Sequence, residues 1–206
     1  MVTQVALSRR ARKQIDTRRR ILLAAIRIFG EKGIERATVD GIAAAADVGK
    51  GTIYNYFQTK EEIVVAFLVE VEHAVQTQVT SLVTERRSLE SALVRLVNLQ
   101  FSLKAPHHPF VRVFLAQMMA RETPESPWIR QMQSVIDPPL RQLFSWHQQH
   151  GSLRRDVDVE GLIAVFKVVH LGLTAVWAME GSPWRGTDRL VKETISLFVA
   201  GLEART

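Results

Sequence analysis

The densest concentration of groups able to do chemistry is the run Lys50-Gly-Thr-Ile-Tyr-Asn-Tyr-Phe57. Lys50 can meet a phosphate or a guanine edge, Gly51 permits close backbone approach, and Thr52 offers a hydroxyl and a methyl. Tyr54, Asn55 and Tyr56 add hydrogen bonding and flat contact surface, while Ile53 and Phe57, at i and i+4, should face inward as anchors. This is recognition chemistry rather than bond-making chemistry. Gly-x-Ser-x-Gly, His-Glu-x-x-His, Gly-x4-Gly-Lys-Ser/Thr and Gly-x-Gly-x-x-Gly are all absent, so no enzyme activity is expected. With no cysteine, thiol catalysis, an iron–sulfur cluster, a Cys-ligated zinc site and a disulfide scaffold are excluded. His147 and His150 stand at i, i+3, a spacing compatible with one metal. No third ligand lies nearby in sequence, so neither a metal nor a cofactor is expected. His107-His108 reads as surface, and His73 and His170 as polar groups held in the core or a pocket.

The charge distribution supports a polyanionic partner. Of the 206 residues, the first 60 hold twelve Lys and Arg against five Asp and Glu, whereas the rest hold 15 against 16. Arg9, Arg10, Arg12, Lys13, Arg18, Arg19 and Arg20 crowd into a dozen positions. Such asymmetry fits a domain that meets a nucleic acid, and equally a solvated basic tail. The cluster reads as a minor-groove arm or as a disordered phosphate binder. A hydrophobic fraction of 47% with 23% charged residues excludes bulk disorder. The N-terminus lacks an apolar h-region, so no signal peptide is read and a soluble, cytoplasmic protein is expected. The most apolar stretch, Gly161 to Met179, carries Lys167 and His170 mid-way, which disfavours a membrane span.

The elements that must position these groups read as helices almost throughout. Thr17–Lys32 has apolar Ile21, Leu22, Ala25, Ile26 and Phe29 at helical spacing, stopped by Gly33 with Ile34 able to fold back on Phe29. Thr38 caps a short Ala-rich helix through Ala46, and a second short helix spans 50–57. Small side chains let the first cross closely over the second, which is the arrangement of a helix-turn-helix. Thr59 with Glu62 forms a capping box opening a long helix to about Arg87. Further helices are expected at Ser88–Lys104, Pro109–Arg121, Ser126–His150 (kinked or broken at Pro138-Pro139), Val159–Glu180 and, capped by Thr187, through Ala204. No alternating β-branched run competes, so the fold class is all-α.

The run from Thr38 to Glu62, with the preceding Phe29-Gly-Glu-Lys-Gly33, resembles the N-terminal domain of the tetracycline-repressor (TetR) family over about residues 15–68. The resemblance implies a basic arm (1–14), a three-helix DNA-binding domain (15–60), and a helical effector-binding and dimerisation domain (61–206). It implies DNA contacts by Thr38, Lys50, Gly51, Thr52, Tyr54, Asn55, Tyr56 and Lys60, with Thr38, Tyr56 and Lys60 on phosphate. Two positions depart from the family pattern. Asp47 replaces the usual turn glycine, and Gly49 replaces the usual Ser or Thr cap.

The chain is thus expected to be a ligand-responsive regulator, a repressor, binding a pseudo-palindromic double-stranded DNA operator as a homodimer. Val159–Glu180 is apolar nearly all round and demands burial on both sides. With the stripe on the last helix it would form an intersubunit four-helix bundle using Val169, Leu173, Leu190, Ile195, Phe198 and Leu202. The resemblance implies an effector pocket between the C-terminal helices. From their Met and aromatic inventory, Phe114, Met118, Trp128, Met132, His170 and Trp177 are its candidates, suiting an apolar or aromatic small molecule. The resemblance also implies that the effector displaces the fourth helix and spoils the spacing of two recognition helices. The alternatives are a helical protein using its basic arm on anionic membranes, or an effector-independent transcription factor.

Overall fold

Ser8 opens the chain's first helix, its hydroxyl accepting from Ala11 N at 3.1 Å. In the computed structural model, which describes residues 8–85, 87–121, 127–181 and 186–202, α1 therefore runs over Arg9–Lys32, not from Thr17. Residues 9–14, expected in a basic arm, belong to this helix, and residues 1–7 lie outside the described part. At its other end Gly33 adopts φ 84° and donates its N–H to Phe29 O at 2.9 Å, a conformation that costs glycine little.

α2 (Val39–Ala45) and α3 (Lys50–Tyr54) follow. Thr38 Oγ1 accepts from Gly41 N at 3.1 Å and so caps α2. Of the four alanines 43–46, Ala43 and Ala46 are buried and set the close crossing, while Ala44 and Ala45 face solvent. Asp47 takes φ 53° at the turn, the left-handed conformation its position demands. α3 ends at Tyr54, earlier than expected, and Phe57 closes its last turn through Phe57 N to Ile53 O at 2.9 Å.

α4 (Lys60–Thr84) starts from a variant of the expected capping box: Thr59 Oγ1 accepts from Glu62 N at 3.1 Å, while Glu62 Oε2 accepts from Gln58 N at 2.7 Å, one residue before the cap. The expected boundary at 60/61 coincides with the start of this helix. α4 itself packs on α1 and then on α5 (Leu89–Lys104) and α7 (Pro127–Gln149), so it is shared between the two halves. A 3₁₀ turn, Ala105–His107, leads into α6 (His108–Arg121). α6 abuts α1 where Gly30 leaves room: a Cβ there would stand 2.8 Å from Phe110 N. Phe110 joins the halves by contacting Phe29 and, edge-on, Phe67, with centroids at 6.3 and 5.3 Å.

α7 continues through Pro138 and Pro139 instead of breaking there, although each proline deletes one N–H rung. α8 (Val159–Glu180) is capped by Asp158, whose Oδ1 accepts from Gly161 N at 2.6 Å. Among the described residues it is the one helix long and apolar enough to cross a membrane. α9 (Thr187–Ala200) ends before Ala204, and residues 203–206 lie outside the described part. Thr187 is not its cap. Gly186 holds that position, and the Thr187 hydroxyl instead donates to Glu180 Oε2 at 2.7 Å. No β-strand occurs among the described residues.

Candidate nucleic-acid interface and effector cavity

Ile53 and Phe57 are 2% and 3% exposed, so they root α3 in the core as their spacing requires. Lys50, Gly51, Tyr54 and Asn55 are exposed, and Thr52 and Tyr56 half-buried. Both tyrosines of the chain lie here. The helix thus presents a polar, aromatic face about an apolar root. Gly49 caps it without a side-chain hydrogen bond. Thr38 is exposed beside it, at the start of α2.

Both lysines among the expected DNA groups already have partners. Lys50 Nζ reaches Asp40 Oδ2 at 2.9 Å across exposed surface, and the hydrogen bond to that carboxylate raises the Lys50 pKa. Lys60 is more deeply committed. Its ammonium donates to the carbonyls of Ile34 (2.6 Å), Glu35 (3.1 Å) and Ala37 (3.3 Å). It ties the start of α4 to the α1–α2 connection, a duty its sequence position did not disclose.

The arginine cluster is divided likewise. Arg20 donates to Ala46 O at 3.1 Å and pins the helix-turn-helix, while Arg18 lies 5.0 Å over the Phe57 ring and 3.5 Å from Glu70. These two side chains brace the domain, which neither sequence reading of the cluster anticipated. Arg9, Arg10 and Arg19 remain exposed on α1.

A narrow cavity of about 30 Å³ lies between α4, α5, α7 and α8. Apolar side chains make most of its wall, including Val75, Leu96, Val97, Leu140 and Phe166. Among the expected pocket residues whose side chains are described, only His170 lines it. Phe114 and Trp177 are 7% and 2% exposed and pack in the core instead, Trp177 stacking on Phe101 at 5.1 Å. Met118 is half-buried against that core on α6. Trp128 and Met132 belong to α7, but their side chains fall outside what the structure describes. His73, expected inside, is exposed.

The sequence reading missed the cavity's polar lining. Glu72 and Gln100 are 5% and 7% exposed, and Gln100 Nε2 donates to Glu72 Oε1 at 2.9 Å. Burial raises the Glu72 pKa, partly opposed by Lys104, which is itself buried and shifted downward. Burial, with Lys104 adding, pushes His170 down to about 3, so its ring is neutral. A signal existed: Gln100 and Lys104 share one helical face with Leu96, Val97 and Phe101, where an exposed face would be polar throughout.

The expected dimer residues also separate. Leu173 (4% exposed) and Ile195 (0%) are buried in the chain's own core, because the packing of α8 and α9 turns those faces inward. Val169, Leu190, Phe198 and Leu202 are half-buried. The apolar side chains facing outward are others: Val165, Val168, Val176 and Met179 on α8, and Leu197 on α9. As for a metal, no cluster of three or more ligand-type residues occurs among those described. His147 Nδ1 lies 3.0 Å from Ser152 Oγ, and His150 Nδ1 2.7 Å from Trp146 O.

Residues 21–67, from the second half of α1 to the second turn of α4, match the family model for bacterial regulatory proteins of the tetR family. The chain is 29% identical over 162 residues to the HTH-type transcriptional regulator SrpR of Pseudomonas putida, covering 77% of this chain and 73% of that protein. It is 33% identical over 99 residues to the uncharacterized HTH-type transcriptional regulator TtgW, also of Pseudomonas putida, covering 48% and 69% respectively. Its fold matches that of Thermus thermophilus FadR, a TetR-family transcriptional repressor crystallised with lauroyl-CoA. The TM-score is 0.69 at 20% identity, over 92% of this chain and 96% of that one. With its helix-turn-helix, its rooted recognition helix and an all-helical second half, the chain belongs to the tetR family of transcriptional regulators.

Proposed function

We propose that the chain is a cytoplasmic repressor that binds a pseudo-palindromic operator as a homodimer and leaves it when a small apolar or aromatic molecule enters the α4/α5/α7/α8 cavity. The observation that carries the DNA reading is α3 itself, with Ile53 and Phe57 locked inside while Lys50, Tyr54 and Asn55 stand exposed. One five-residue helix offers little surface, so a two-fold pair reading successive major grooves is needed for a useful specificity ratio. The outward stripe Val165, Val168, Val176, Met179 and Leu197 supports a partner copy packed on α8 and α9.

The cavity supports an effector because α4, one of its walls, also carries Lys60 and the capping box at the edge of the recognition helix. A ligand that parts α4 from α7 shifts the helix that holds α3. Two recognition helices must stand about 34–36 Å apart, so a displacement of several ångströms spoils the match. A differential affinity of about 1.4 kcal/mol for the non-binding conformation weakens operator binding tenfold. Lauroyl-CoA in T. thermophilus FadR supports a small-molecule effector for a chain of this fold.

Selection of bound sequences from random duplex DNA tests the reading. It should return a two-fold symmetric site, and Tyr54→Ala should weaken that site by about 1–3 kcal/mol per half-site. Enrichment of no sequence, or indifference to Tyr54→Ala, overturns the recognition role of α3.

A further inference from the structure

The polar atoms lining the cavity are not a balanced set. Gln100 is only 7% exposed, and with Nε2 given to Glu72 its Oε1 has no hydrogen-bond partner. His170 Nδ1 is likewise buried and unpartnered. The tautomer follows from the neighbours. Thr174 Oγ1 donates to His170 O at 2.8 Å, leaving its lone pairs toward Nε2 at 3.4 Å. On this contact we assign the ring proton to Nε2, which leaves Nδ1 an acceptor. Glu72 adds carboxyl oxygens to the same lining.

Donors are scarce in the lining itself, since Lys104, buried near Glu72 and His170, is not among the residues that line the cavity. Lys167 lines the cavity, but its ammonium is held by Asp137, at 3.0 and 3.3 Å to the two oxygens. Buried acceptors without donors cost free energy, and a ligand recovers that cost only by bringing the donor. A carboxylate or acyl carbonyl brings acceptors alone and would meet Glu72. The surrounding wall of Val75, Leu96, Val97, Leu140 and Phe166 asks for an apolar body.

We infer that the cavity selects a small aromatic or apolar molecule bearing an uncharged hydrogen-bond donor, such as a phenolic hydroxyl or aryl N–H, and discriminates against carboxylates and acyl chains. The inference rests on the effector-site reading above. The cavity is narrow, so entry must widen it. The α7 wall, where Pro138 and Pro139 remove two rungs and Pro139 lines the void, is the part with the fewest helical hydrogen bonds to resist this.

The test uses three probes of similar size: 4-ethylphenol, 4-ethyltoluene and 4-ethylbenzoate, titrated calorimetrically into the full-length protein. Replacing hydroxyl by methyl favours transfer out of water, so hydrophobicity alone ranks 4-ethyltoluene first. The donor-selective cavity reverses this, binding 4-ethylphenol at least about tenfold more tightly, because sites built to bond a hydroxyl reject the analogue lacking it. His170→Phe, which keeps a ring beside Phe101 and Phe166 but removes the Nδ1 acceptor, should bring that ratio toward or below one. Gln100→Met repeats the test at the second acceptor, should one variant fail to fold. A wild-type ratio near or below one, or a ratio unchanged in both variants, overturns the donor selectivity. If the probes bind and Val97→Phe, which fills the cavity, abolishes binding, the effector site stands whichever probe wins. If none binds, or binding ignores Val97→Phe, the effector-site reading falls and the selectivity falls with it.

Discussion

Replacing Lys60 with Met separates two roles that one lysine could hold. The methionine keeps an unbranched apolar stem of similar length and removes only the ammonium. In the structure that ammonium satisfies three carbonyls, those of Ile34, Glu35 and Ala37, and thereby fastens α4 to the α1–α2 connection. Hydrogen bonds from a charged group are each worth about 1.5–3 kcal/mol net, but three acceptors sharing one half-exposed ammonium do not add. A total near 2 kcal/mol is the reasonable magnitude. For a protein of this size it lowers the melting temperature by about 4–8 °C. Operator affinity at low salt would then fall only as far as the loosened α4–α3 junction misplaces the recognition helix, and its salt dependence would hardly change. A phosphate role predicts the opposite pattern. The melting temperature would stay within about a degree, and the log–log salt slope would drop by about 0.9 per lysine, twice over in a dimer. Thermal unfolding and operator titration at several salt concentrations, run on the same preparations, read both. An unchanged melting temperature with a flattened salt slope refutes the structural role.

Gly30→Ala should destabilise the protein by about 1–3 kcal/mol, read by thermal unfolding, because its Cβ meets backbone 2.8 Å away at Phe110 N and α1 and α6 must part. His170, held down to about 3 by burial and then Lys104, gives a pH signature. Below pH 6.5 the unfolded chain takes up a proton that the folded ring refuses until about pH 3. Its contribution is therefore complete above pH 6.5 and lost on acidification, by at most about 1.4 kcal/mol per pH unit. Denaturant unfolding of His170→Phe should show that slope removed relative to the unaltered protein. At the outward stripe, Val168→Glu should give folded monomers in sedimentation and weaken operator binding. Ile195→Ala should leave the association state unchanged but cost about 2–5 kcal/mol of stability, as a cavity in the core does.

How far the sequence reaches depends on how local the determining physics is. Fold class, the order of the helices and the helix-turn-helix were legible because capping residues, apolar periodicity and turn glycines act within a few positions. Thr38 on Gly41, Thr59 with Glu62, Gly33 at positive φ and Asp47 in the left-handed region all stand where short-range rules put them. The inward roots of α3, Ile53 and Phe57, followed from the same periodicity. What tertiary structure alone decided concerns groups that choose among distant partners. A lysine beside a recognition helix looks like a phosphate ligand until three carbonyls from 23–26 residues earlier are brought under it. Arg18 and Arg20 looked like part of a basic arm until the fold set Phe57 and Ala46 beside them. α8 is apolar nearly all round, so periodicity cannot say which side meets its own core. Packing against α6, α7 and α9 buried Leu173 and left Val168 outside. The cavity has the same origin: Glu72, Gln100 and His170 come from three helices, and no spacing within any one of them records that they meet.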